Sequence, residues 1–118
     1  MTRQEFKRLM THKLTIEKRK RSVTGDWETV ETYKSIPGFV EYGKRKSVDE
    51  EGEEITVNAV VFLMPDSPIN VEHGYWLITQ THPYKRSPMH AVNIIPIDDP
   101  RTGKTHHIEI ETRMGAVT

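Results

Sequence analysis

The longest apolar run of the chain, residues 55 to 64 (ITVNAVVFLM), limits most strongly what the chain can fold into. Most of its residues are β-branched or aromatic, which is typical of a strand. Alternation along a strand places five of the side chains on one face: Ile55, Val57, Ala59, Val61 and Leu63. Val60 and Phe62 fall on the opposite face. Because both faces of the second half are apolar, both need cover, which predicts a closed or two-layered β structure.

A strongly charged segment, residues 44 to 54, precedes this strand, and a hydrophobic core cannot absorb it. A β-hairpin needs about two to five loop residues, and this segment is much longer. It therefore predicts a long charged loop, either disordered at the surface or ordered against neighbouring copies, where the basic half of one copy meets the acidic half of the next. The segment consists of Lys44, Arg45, Lys46, Ser47, Val48, Asp49, Glu50, Glu51, Gly52, Glu53 and Glu54.

The rest of the chain predicts short strands after a short N-terminal helix. Thr2 and Glu5 fit a capping box for a helix of about two turns over residues 3 to 10. Alternating patterns predict strands over residues 13–19, 27–33, 39–42, 74–79, 90–97 and 104–112. Pro37 predicts a bend or an edge. The predicted fold is all-β, a small antiparallel barrel or sandwich of about six or seven strands over residues 12–118, with loop 44–54 inserted and residues 1–11 as an N-terminal arm or short helix.

Composition limits the class of protein. At 118 residues the chain has room for one core. Cysteine is absent, so disulfides and thiolate metal sites are excluded, which suits an intracellular or intravirion setting. No run approaches the ~20 apolar residues of a membrane span, and the N-terminus lacks the apolar region of a signal peptide. We expect a soluble protein without a membrane partner.

The charges are distributed unevenly although they sum to zero. Residues 1–21 hold eight Lys or Arg against two Glu, and residues 26–72 hold four against eleven Asp or Glu. A basic head followed by an acidic middle favours self-complementary assembly, or a basic surface for nucleic acid or an acidic partner. Ordinary solvated faces explain the same pattern equally well.

The histidines and carboxylates do not form a recognisable catalytic or metal-binding motif. His106 and His107 are adjacent, so on a regular strand they point to opposite faces and cannot reach one metal unless a bulge intervenes. Glu109 and Glu111 share a face opposite isoleucines, which is typical of a solvated strand. Phosphate-binding loops, nucleophile elbows and HExxH helices are missing from the sequence. We predict no enzyme, no cofactor and no metal site.

A basic cluster at the end of the first predicted strand is a candidate contact for DNA or for a protein partner. It consists of Lys18, Arg19, Lys20 and Arg21. Six aromatic residues are candidates for stacking on bases, as in single-strand binders built on barrels: Trp27, Tyr33, Tyr42, Tyr75, Trp76 and Tyr84. Packing within the fold is the competing role for these rings, because most of them fall in strand phase.

Several stretches together have the pattern of small-barrel strands and turns: 12–16 (HKLTI), 25–27 (GDW), 37–41 (PGFVE), 70–76 (NVEHGYW) and 101–109 (RTGKTHHIE). The chain resembles the head-completion proteins of tailed bacteriophages in this pattern and in the charged segment that leads into residues 55–57. These proteins are also called stopper, head closure or head-tail connector proteins.

The resemblance implies a mechanical role in the virion neck, after assembly in the host cytoplasm. The implied partners are the connector adaptor protein and portal ring, the tail terminator or tail tube protein, and packaged DNA in the channel. The protein itself would form a ring, expected to follow the twelvefold portal as a dodecamer, with residues 44–54 as channel loops that retain DNA. The alternatives are a single-stranded nucleic-acid-binding barrel acting alone and a small metal-dependent hydrolase.

Overall fold

A short helix and six strands account for the part of the chain that the structure, a computed structural model, describes, namely residues 1–70 and 75–114. They are α1 (Arg3–Lys7), β1 (His12–Arg21), β2 (Trp27–Val48), β3 (Glu54–Leu63), β4 (Trp76–His82), β5 (Met89–Asp98) and β6 (Thr105–Met114). The strands close into an antiparallel barrel in the order β1-β2-β3-β6-β5-β4. The predicted all-β fold is confirmed, and its form is a barrel rather than a sandwich.

The apolar run that limits the fold is β3, which pairs with β2 on one side and with β6 on the other. Its inward side chains are fully buried: Val57, Ala59, Val61 and Leu63. On the outward face, Val60 is buried and Phe62 is half-buried beneath Phe6 of α1, with the two rings 6.4 Å apart edge to face. Both faces are therefore covered, as predicted, and the outer cover of Phe62 comes from the N-terminal segment.

At Gly38 the pairing partner of β2 changes from β1 to β3. It lies opposite His12 of β1 and opposite Leu63 of β3. A Cβ atom at this position would lie 2.6 Å from Cδ1 of Leu14 and 2.9 Å from Cδ2 of Leu63. The missing side chain therefore lets three strands meet tightly around the core.

β2 runs for 22 residues, so the separate strands predicted over 27–33 and 39–42 are one. A straight strand of that length would span about 70 Å. The greatest extent of the described structure is 46 Å, so β2 must bend. Ser35 has a φ of 56° and Gly43 a φ of 153°, and the register shifts beside both positions. Pro37 lies between these bends, directly before the exchange of neighbours.

The prediction of a long loop over residues 44–54 is wrong, because these residues end β2, form a tight turn and begin β3. Val48 lies opposite Glu54, and the backbone N–H of Asp49 donates to the carbonyl of Glu53 at 2.9 Å. The Asp49 carboxylate accepts from the N–H groups of Glu51 and Glu53, and Gly52 takes the left-handed conformation with φ 84°. Charge excluded the segment from the core, but it did not exclude strand pairing. We call residues 44–54 the charged hairpin.

The other elements differ from the prediction mainly at their ends. The capping box is confirmed, since Thr2 Oγ1 accepts from the N–H of Glu5 at 3.1 Å and donates to its carboxylate at 3.0 Å. The helix ends at Lys7 rather than at residue 10. Gly74, the predicted start of β4, lies outside the described residues, as does His73. Within the described ranges, no helix is long and apolar enough to cross a bilayer.

Candidate interaction surface

The charged hairpin is held against the outer face of its own barrel by Glu111 of β6. Glu111 alternates with Ile110 and Thr112, whose side chains are fully buried in the interior, so its own side chain points outward. Its carboxylate accepts hydrogen bonds of 2.7 Å from Arg45 Nη2 and from Ser47 Oγ. Pairing of β3 with β6 begins only at Ala59, so the hairpin is free to fold back and cover Glu111.

Asn93 of β5 completes this contact. Its side-chain amide donates to the Glu111 carboxylate at 2.7 Å and to the backbone carbonyl of Val48 at 2.9 Å. The Glu111 carboxylate thus binds both the charged hairpin and the neighbouring strand β5. Only 6% of the surface of Glu111 remains exposed. The predicted charged loop is therefore a hairpin attached to its own subunit.

The ionisation of Glu111 matches this arrangement. Burial alone would raise the pKa of the carboxyl group, but the hydrogen bonds from Asn93, Ser47 and Arg45, together with the charge of Arg45, outweigh it and lower the pKa. The carboxylate is consequently charged at neutral pH and remains so into the acid range. Arg45 keeps about half of its side chain in solvent, which moderates the strength of the ion pair.

The predicted stopper residues divide into two groups. Arg45 and Ser47 point to Glu111, and Asp49 is used by the turn. The other charged side chains face solvent: Lys44, Lys46, Glu50, Glu51, Glu53 and Glu54. Among them, Lys46 Nζ and Glu54 lie 2.8 Å apart across the hairpin. Val48 leaves 55% of its surface exposed near the tip, so the hairpin presents one apolar side chain among its charges.

The predicted basic cluster lies at the end of β1, where acidic residues of β2 face it. Lys18 lies opposite Glu31, and Lys20 lies opposite Glu28. Arg21 donates to the carbonyl of Gly25 at 3.0 Å, and its guanidinium lies 4.9 Å from the centre of the Trp27 ring. The cluster is therefore not a continuous cationic strip, and Glu28 and Glu31 weaken its attraction for phosphates.

The aromatic residues predicted to stack on bases are mostly occupied by contacts within the protein. Trp76 is buried in the core, and Tyr75 stacks on Trp27 at 4.5 Å. Tyr42 donates to Gln80 at 2.8 Å and lies beneath the guanidinium of Arg86. Tyr33 packs against the core. Of the six rings, Tyr84 alone is largely exposed, which provides little surface for a row of bases.

The two adjacent histidines meet, contrary to the expectation for a regular strand. The Nδ1 atoms of His106 and His107 lie 2.8 Å apart, because a bulge in the β5–β6 register falls between the pairs made by Thr105 and His107. His106 Nε2 also contacts the carbonyl of Met1 at 3.1 Å, and Phe6 stacks on His107 at 4.3 Å. Within residues 1–70 and 75–114, no group of three or more potential ligands is arranged to hold a metal ion.

The packing of α1 creates an apolar groove on the outside of β2 and β3. The groove has a volume of about 330 Å³. Its lining residues are Phe6, Arg8, Leu9, Met10, Thr11, Phe39, Glu41 and Phe62. Leu9 is nearly half exposed at its edge, and Arg8 and Glu41 are its charged residues. Sequence reasoning missed this groove because the groove forms only when α1 docks on the barrel beside the outward-facing rings of Phe39 and Phe62.

Comparison with known proteins gives no match. No protein-family model matches the chain, and neither do curated proteins or solved structures.

Proposed function

We propose that the protein is a structural protein of the neck of a tailed bacteriophage. It forms a ring below the portal and adaptor, closes the DNA-filled head and provides a surface for tail attachment. The observation that carries this proposal is the charged hairpin, whose exposed acidic tip is attached through Glu111 and Asn93 to a barrel whose interior is filled by its own core. Such a molecule is suited to protein contacts, and its packed aromatic rings disfavour the single-strand-binding alternative.

The tip of the charged hairpin suits a position where protein and DNA meet. The exposed carboxylates of Glu50, Glu51 and Glu53 repel phosphates, and the cations of the other limb attract them. Because the hairpin is already ordered in one subunit, little conformational entropy is lost when it contacts a partner.

The test uses the encoding phage with a nonsense codon in this gene. We expect heads that package DNA but lose it and remain without tails, together with free tails in the same lysate. Addition of the purified protein should restore tail joining and infectivity. Tailed, DNA-filled particles formed without the protein would refute the proposal. Tight binding of the purified protein to a single-stranded oligonucleotide at physiological salt would favour the nucleic-acid-binding alternative.

A further inference from the structure

We propose that the charged hairpin of one subunit docks in the apolar groove beside α1 of a second copy, and that this contact joins neighbouring subunits of the ring. The inference rests on the proposed ring and names the surfaces that build it. It assigns residues 44–54 to contact between subunits rather than to a free channel loop. Three properties of the two surfaces support it: the fixed shape of the hairpin, the apolar lining of the groove and the charges around both.

The hairpin has the fixed shape that a docking element needs. Its backbone is paired from Arg45 opposite Val57 to Val48 opposite Glu54. Glu111 and Asn93 then fix its orientation on the barrel, and Asn93 binds the carbonyl of Val48 itself. The side chain of Val48 nevertheless stays 55% exposed, so a held backbone presents an apolar side chain to solvent.

The groove offers an apolar surface on the outside of the two strands that lie beside those contacted by the hairpin. It lies over β2 and β3, whereas the hairpin rests on β5 and β6. The rings of Phe6, Phe39 and Phe62 line it, and Leu9 is 46% exposed at its edge. Contact with an aliphatic side chain such as Val48 would remove apolar surface of both partners from water.

The charges of the two surfaces complement each other in two places. The hairpin has an acidic tip at Glu50 and Glu51 and a basic limb that begins at Lys44, and all three side chains are exposed. The groove has Arg8 in its lining, on the basic N-terminal segment, and Glu41 on β2. When Val48 enters the groove, the acidic tip can face Arg8 while the basic limb faces Glu41. One orientation thus satisfies both signs of charge.

The use of two different surfaces has a consequence for symmetry. A contact in which each copy offers its hairpin to one neighbour and its groove to the other is heterologous, and such contacts generate rings when the rotation closes. A two-fold dimer would instead need the same surface on both copies.

The absence of cysteine from the chain allows a direct test by cross-linking. Val48→Cys and Leu9→Cys are made as separate variants, mixed at high concentration and treated with a short bis-maleimide. The variants are mixed in equal amounts, and we expect V48C–L9C heterodimers in clear excess over the statistical yield, which is about twice that of each homodimer. Val23→Cys, at the fully exposed tip of the β1–β2 hairpin, is the matched control and should give no excess with L9C. A heterodimer yield of only about twice that of each homodimer, as random collision of equal amounts gives, would overturn the proposal.

Charge reversal tests the orientation. Arg8→Glu should lower the heterodimer yield about fivefold, as expected for loss of an exposed ion pair, and Glu51→Arg on the hairpin copy should restore it. A yield unchanged by Arg8→Glu would overturn the orientation. The neck role is tested separately by the nonsense phage. If that phage needs the protein but the cross-link shows no excess, the interface is wrong and the function stands. The reverse pair of results means that the interface is right and the function wrong.

Discussion

The contact between Glu111 and the charged hairpin can be measured by removing the carboxylate. In Glu111→Ala, Ser47 and Asn93 lose a charged acceptor, and Arg45 loses its ion pair. Breaking a fully buried pair costs about 3 to 5 kcal/mol, but Arg45 is about half exposed and regains water. We therefore expect a loss of about 3 kcal/mol in the free energy of unfolding.

Two further variants show how much of this loss in free energy comes from the ion pair and how much from the other hydrogen bonds. Glu111→Gln keeps an oxygen for Ser47 and Asn93 but turns an amide group toward Arg45, and we expect a loss of about 2 kcal/mol. The matched control is Lys46→Ala, which removes the ion pair with Glu54 in the same hairpin. Since both of those side chains are mostly exposed, the expected loss is at most about 0.5 kcal/mol.

Urea unfolding followed by circular dichroism gives the free energies, and amide exchange shows where the change lies. In Glu111→Ala, exchange should become faster most of all in the charged hairpin, and in β1 only as far as the lower free energy of global unfolding requires. The same loosening should occur in acid. Because the folded pKa of Glu111 is lowered, its contribution is complete above the ordinary value of 4.5 and is lost as the pH falls through the lower folded pKa. A Glu111→Ala variant as stable as Lys46→Ala, with slow exchange in the hairpin, would refute the reasoning.

Three other predictions concern the barrel and its N-terminal segment. Burial lowers the pKa of His107, so the fold favours the neutral ring. Docking of α1 should therefore weaken as the pH falls below the ordinary pKa of 6.5 and through the lower folded pKa. Over that range, exchange of the α1 amides should become faster in the wild type but not in His107→Phe. Phe62→Ala should lower the free energy of unfolding in urea by about 2 kcal/mol. The loss should be much smaller in a chain lacking residues 1–8, because Phe6 covers Phe62. Equal losses in both backgrounds would contradict this coupling. Gly38→Ala should cost about 1 to 3 kcal/mol through the clash with Leu14, and an unchanged urea midpoint would show that the strands can separate at no cost.

Much of the fold could be predicted because apolar periodicity reports burial directly. The inward and outward phases of β3 follow from alternation alone, and the capping box of α1 follows from Thr2 and Glu5. The continuity of β2 could not be predicted in the same way. Its middle contains Pro37 and Gly38, which usually interrupt a strand, and here they lie where the strand changes neighbours.

The interaction surface was harder to predict than the fold. The charge of residues 44–54 correctly indicated exposure, but pairing between two charged strands leaves no apolar alternation to detect. Glu109 and Glu111 look equivalent in the sequence, and only the fold-back of the hairpin distinguishes them, because it covers Glu111 and leaves Glu109 half-buried. The meeting of His106 with His107 likewise depends on a bulge without a local signature.

The length of β2 gives the molecule a particular mechanical response. This one strand leads from the β1–β2 hairpin to the tip of the charged hairpin, at the opposite end of the strand. Tension applied between those two tips would act first on the bends at Ser35 and Gly43, where the pairing with β1 and with β3 is already interrupted by register shifts. Beyond that point the covalent backbone of β2 would bear the load, and its ladders with β1 and β3 would resist by sliding along their whole length rather than by opening one bond at a time.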